Sequence, residues 1–119
     1  MIKQDYESNF LSQVNGLNII GYELDLTNYS EVTKEITNQT AEIEDILSFD
    51  EYQNSIKAIN EYFGINELVP IIGLLGGSML AIGLKEYEGR ILYIDFDFGI
   101  FDLEEDLKTI TKRLYQPKK

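Results

Sequence analysis

The stretch from Val69 to Gly99, VPIIGLLGGSMLAIGLKEYEGRILYIDFDFG, constrains the fold of this chain more than any other. Arg90 to Phe98 reads as the strongest strand in the chain, with Leu92, Ile94, Phe96 and Phe98 on one face. Ile91, Tyr93, Asp95 and Asp97 fall on the other face. Met79 to Leu84 is a second strand, with Leu80, Ile82 and Leu84 on its apolar side. Lys85 to Gly89 is too short for anything but a hairpin loop, so the two strands must run antiparallel. Val69 to Ile72 is apolar with Pro70 inside it, and reads as an edge segment or a lead-in to the sheet. Gly73, Gly76 and Gly77 make a tight turn before the first strand.

The remaining segments supply cover for that sheet. Tyr6, Phe10, Leu11 and Val14 share one helical stripe over residues 5–14, and Asn15-Gly16 stops it. Leu17 to Leu26 reads as a strand with Ile20, Tyr22, Leu24 and Leu26 on one face. Residues 27–47 are rich in Thr, Asn and Glu and read as a long loop or irregular element, with a short strand or turn around Ile43, Ile46 and Leu47. Ser48 followed by Glu51 is a capping box that opens a helix from Asp50 to Phe63, closed by Gly64. Its stripe is Tyr52, Ile56, Ile59 and Phe63. Asp102 resembles a second cap, with Leu103, Leu107, Ile110 and Leu114 on a helix running to about Tyr115. Pro117, Lys118 and Lys119 form a frayed tail. The expected architecture is a single α+β domain over residues 1–119, with a mainly antiparallel sheet of about four strands and helices packed on one side.

Composition narrows the function. With no Cys and no His, the chain has no thiol nucleophile, disulfide or thiolate metal site. It also lacks the commonest metal ligand and the commonest general base near neutral pH. The N-terminus, MIKQDYESNF, has no apolar core, so no signal peptide is expected. Leu68 to Leu75 is far too short to span a membrane, and a cytoplasmic protein is the default. Residues 1–106 carry 21 acids against five bases, a balance of −16, because half of the bases lie beyond Leu107. Such a surface repels nucleic acid phosphates and steers a basic protein towards it.

Two motifs invite chemistry. Gly73-x-x-Gly76-Gly77-Ser78 lacks the Lys-Ser/Thr of a phosphate loop and precedes a strand, not a helix, so it reads as a structural turn. Asp95 and Asp97 face the same side and could hold a hard cation with Glu104. The plainer reading is an acidic solvent face, and neither a metal nor a cofactor is expected. Tyr29, Tyr87 and Tyr93 are the aromatics that no apolar stripe buries, and Tyr suits interfaces.

Several segments carry a resemblance to a known family. Phe10-Leu11 and Asn15-Gly16-Leu17 look like a helix ending in an Asn-Gly turn before a first strand. Ile72-Gly73, Gly76-Gly77 and Leu80-Ala81-Ile82 resemble a glycine-containing turn leading into a strand. Gly89-Arg90-Ile91-Leu92-Tyr93-Ile94-Asp95-Phe96-Asp97 resembles the strand after it, and Leu103 to Leu114 the closing helix. Together they resemble the SUKH superfamily, which includes yeast cell-wall-synthesis regulators and many bacterial toxin-immunity proteins. No Leu-Pro precedes Phe10-Leu11, so the chain resembles a member shortened at its N-terminus.

The resemblance implies non-enzymatic binding to the C-terminal domain of a cognate secreted or contact-delivered toxin, often a basic nuclease. It implies no direct contact with nucleic acid or membrane. Exposure patterns nominate Glu42, Glu44, Asp45, Asp95 and Asp97 as the charged contacts, with Tyr87 and Tyr93 as anchors. Three alternatives share this surface: a regulator of another cellular protein, a phosphate-mimicking inhibitor of a defence complex, and a carboxylate-metal hydrolase built on Asp95, Asp97 and Glu104.

Overall fold

A computed structural model describes residues 1–117; Lys118 and Lys119, part of the expected tail, lie outside the described residues. Among the described residues the helices are α1 Lys3–Asn9, α2 Ser30–Thr33, α3 Phe49–Phe63 and α4 Leu107–Arg113. The strands are β1 Glu23–Asp25, β2 Thr40–Ile46, β3 Leu68–Leu74, β4 Met79–Gly83, β5 Ile91–Asp95 and β6 Gly99–Asp102. They form one antiparallel sheet whose spatial order is the chain order. The α+β class is as expected, but the sheet has six strands where about four were expected.

One added strand comes from the irregular segment. β2 buries Ala41 and Ile43 and turns Glu42 and Glu44 away from that core. Its alternation breaks at a register shift between Ile43 and Asp45, which hides the strand from a period-2 pattern. The other is β6, which lies beyond the strand expected over Arg90–Phe98; that strand itself ends early, at Asp95. Asp95 Oδ1 accepts hydrogen bonds from the Asp97 and Phe98 backbone N–H groups, at 2.8 and 3.1 Å. That side-chain turn ends β5. Gly99 then takes φ 125°, where a side chain would be strained, and β6 folds back to pair Ile94 with Ile100.

β3 is a central strand and not an edge, with β2 on one side and β4 on the other. Pro70 is tolerated because β2 pairs only as far as Ile72 before Leu47 leads into the next helix. Of the strand expected over Leu17–Leu26, only Glu23–Asp25 forms. A turn carries Ile20 outward, 52% exposed, and buries Ile19 in its place.

The capping box forms as the spacing predicts. Ser48 Oγ accepts from the Glu51 N–H at 3.2 Å, and Glu51 Oε1 accepts from the Ser48 N–H at 3.0 Å. Gly64 closes α3 in the left-handed conformation. The last helix starts later than expected, with Asp106 as its cap, accepting from the Thr109 N–H at 2.8 Å. Leu103 and Glu105 are held against β5 by backbone hydrogen bonds to Ile91, which prevents helix at Asp102–Glu105.

Both faces of the sheet are covered, so the helices are not confined to one side. Ala81, Leu92 and Ile94 pack with Ile59 of α3. Leu80, Ile91 and Tyr93 face the larger core, with Tyr6 of α1, Val32 of α2 and Ile110 of α4. Tyr6 is fully buried, stacks on Tyr52 with ring centroids 4.4 Å apart, and donates its hydroxyl to the Leu47 carbonyl at 2.7 Å.

Candidate functional site

The nominated acids do not form one cluster; the fold divides them between neighbouring places. Glu44 and Asp45 lie at the end of β2, beside the β3–β4 turn and the first turn of α3. With Glu51, Asn54, Ser78 and Met79 they line an open cleft of about 320 Å³. Among the described residues, no Lys or Arg lines it. Asp95 is linked to the same rim through Ser78 Oγ, which donates to its Oδ2 at 3.3 Å. Asp97 follows in the exposed turn after β5. Glu42 sits further along β2, directly opposite Glu23 of β1, so two like charges face each other across the strands.

Asp45 is the acid of the cleft whose pKa is raised. Burial pushes its carboxyl pKa up first, and the hydrogen bond and charge of Glu51, then the charge of Glu44, push it further. Glu51 shifts the other way, because the Ser48 backbone N–H stabilises its charged form. Of the two, Asp45 is therefore the first to take up a proton as pH falls. Its carboxyl lies against the β3 backbone at Gly73, where any Cβ would collide with Asp45 Oδ1. Gly73 is thus a strand residue that makes room for an acid, and not part of the turn where the sequence reading placed it. Glu51 was not among the nominated acids, although its capping-box position just past β2 is the signal that puts it there.

The tyrosines separate as well. Tyr93 is 2% exposed and belongs to the larger core, which corrects its nomination as a surface anchor. The face of β5 expected to meet solvent is covered because the sheet has helices on both sides. Asp95 also has an internal task, holding the turn between β5 and β6. Tyr87 is half-buried beneath the Arg90 guanidinium, 5.6 Å from the ring centroid, and lines a separate groove. Tyr29 is buried and donates to Glu105 Oε1 at 2.7 Å, beside a hollow that Arg113 closes by pairing with Glu105 at 2.6 Å. Burial opposes the charge on Glu105, but hydrogen bonds from Arg113 and Tyr29 outweigh it and hold its pKa below the usual range.

Asp95, Asp97 and Glu104 do not converge, and among the described residues no group of three acids could hold a metal ion. Chemically, the cleft offers uncompensated negative charge in a shallow hollow, which suits cationic side chains. No helix among the described residues is long and apolar enough to cross a membrane.

No curated protein matches the chain. The RhsPI family model matches residues 18–115, from the turn before β1 to the residue that pairs with that strand, Tyr115. An immunity family implies a toxin partner, in agreement with the binding role that the SUKH resemblance implied. The match covers well over half of the chain and takes in all six strands, so the chain belongs to the RhsPI family of Rhs-associated immunity proteins, which serve in polymorphic toxin systems.

Proposed function

We propose that the chain neutralises its cognate toxin by direct binding to the toxin's C-terminal domain in the cytoplasm, without catalysis of its own. The toxin domain is a basic nuclease in this reading, and the acidic surface occupies the region that would otherwise take nucleic acid. The family match carries the proposal. The balance of −16 over residues 1–106 and the cleft at Glu44, Asp45 and Glu51 support the choice of a basic partner. The SUKH-like motifs support the same role and belong to the proposal.

Long-range attraction of this kind raises association rates more than it raises affinity. Glu44 and Asp97 are exposed, and charge reversal there leaves the core untouched. The test mixes the chain with the C-terminal domain of its cognate toxin and follows both binding and cleavage of DNA and RNA. The expected result is a stable complex in which cleavage stops at equimolar ratio. A complex that forms while no nucleic acid is ever cut would remove the nuclease part. Absence of any complex would remove the function.

A further inference from the structure

The last turn of α3 and the turn after β5 meet in a partly exposed aromatic ledge. Tyr62 and Phe63 both pack on Phe96, with ring centroids 5.6 and 5.7 Å away. Phe63 and Phe96 shield the smaller core, but Tyr62 is 64% exposed and gains little from folding alone. Phe98, in the same turn as Phe96, is 54% exposed. Ile100 packs against the same small core and also lines a groove of about 150 Å³ with Ile65, Leu68 and Leu92. Apolar surface therefore runs from the ledge into the groove, with Tyr87 on its wall. Contiguous exposed apolar surface of this kind marks an interaction site more often than scattered single residues do.

Charge decides what such a ledge can receive. Neither residues 58–84 nor residues 91–107 contain a Lys or Arg, while Glu61, Asp95 and Asp97 adjoin the aromatic rings in sequence. The two bases near the groove are engaged: Lys85 pairs with Glu67 at 3.3 Å and Arg90 with Asp102 at 3.2 Å. A second copy, with net charge −11 and the same acids, would meet like charge there. A cationic side chain gains twice, from the face of an aromatic ring and from Asp97. The adjoining sheet edge is open too. The β1 edge is closed by a bridge from Glu23 to Tyr115, whereas among the described residues no other strand pairs with the outer edge of β6.

We propose that this ledge and the outer edge of β6 seat a basic segment of the toxin, one presenting Arg or Lys beside apolar side chains. The proposal rests on the toxin-binding reading and goes further by naming the surface and the chemistry of what it holds.

The test uses the full chain and the C-terminal domain of its cognate toxin. A Tyr62→Ser/Phe98→Ser variant, checked for an unchanged melting temperature, is expected to bind at least about tenfold more weakly, as loss of central aromatic anchors does. Asp97→Lys is expected to slow association. Hydrogen exchange on the unsubstituted complex guards against a variant that folds poorly: protection is expected at residues 61–65 and 96–102. If the unsubstituted chain binds the toxin while the variants bind equally well, or protection lies wholly elsewhere, the ledge is overturned and the immunity role stands. A chain that dimerises through Tyr62 and Phe98 assigns the ledge to a second copy and overturns the proposal. Absence of any complex overturns both.

Discussion

Tyr93 separates a core reading from a surface reading in one substitution. Its ring is 2% exposed, lies across from Leu80 of β4, and tilts against Phe101 with centroids 6.4 Å apart. Burial raises the pKa of its phenol, as expected for a group withdrawn from water. A ring of this kind buries about 150–250 Å². At about 25 cal/mol per Å² that corresponds to roughly 4–6 kcal/mol. Truncations of large buried aromatics cost about 3–5 kcal/mol, which overlaps that range. A domain of this size has about 5–15 kcal/mol in total, so Tyr93→Ala removes a large share of it. With a urea slope of about 2 kcal/mol per M, the unfolding midpoint should fall by about 2 M. Tyr93→Phe keeps the ring and should cost about 1 kcal/mol or less. Urea titration followed by circular dichroism reads both variants. A midpoint for Tyr93→Ala within about 0.3 M of the unsubstituted chain would place the ring at the surface and refute a sheet covered on both faces.

Three further outcomes follow from the packing and the charges. Ser48→Ala removes the side-chain oxygen that accepts from the Glu51 N–H, and should lower stability by about 1 kcal/mol in the same titration. Gly83→Ala places a Cβ against the backbone oxygen and Cβ of Tyr87, which cannot yield without opening the β4–β5 hairpin; a loss of about 1–3 kcal/mol is expected, and a neutral result would mean that the hairpin is loosely packed. The third concerns pH. Burial and Glu51 raise the Asp45 pKa, so the folded chain keeps that proton longer than the unfolded chain does. The associated stability is present below the unfolded value of about 3.9 and is lost as pH rises through the folded one. Asp45→Asn should therefore raise the urea midpoint at neutral pH, with the gain vanishing below about pH 4. A gain that persists in acid would show that the effect is not electrostatic.

The parts of the fold that sequence made plain are those governed by local chemistry. The α3 helix is one: its capping box, its apolar stripe and Gly64 each act within a few residues. The β4–β5 hairpin is another, since a short loop leaves few ways to join two apolar strands. The parts it hid depend on distant partners. β2 looks irregular because a bulge breaks its alternation, and only its pairing with β1 and β3 makes it a strand. Tyr93 looked free because one alternating strand cannot reveal that both of its faces are covered. Asp95 looked like a spare acid beside Asp97, yet the reversal into β6 gives it two backbone donors. Of the nominated acids, Glu44 and Asp97 are exposed, whereas Asp45 is partly buried against Gly73. The Tyr62–Phe96 pair joins residues 34 positions apart and could not be read from spacing.

The central claim is that an acidic immunity surface captures a basic toxin domain. Stopped-flow association of the chain with its toxin partner, measured across a range of NaCl concentrations, tests it most directly. The account predicts an association rate that falls steeply as salt rises while dissociation changes little, with Glu44→Lys/Asp97→Lys flattening that dependence. A rate that ignores salt, or no association at the lowest salt, would contradict it.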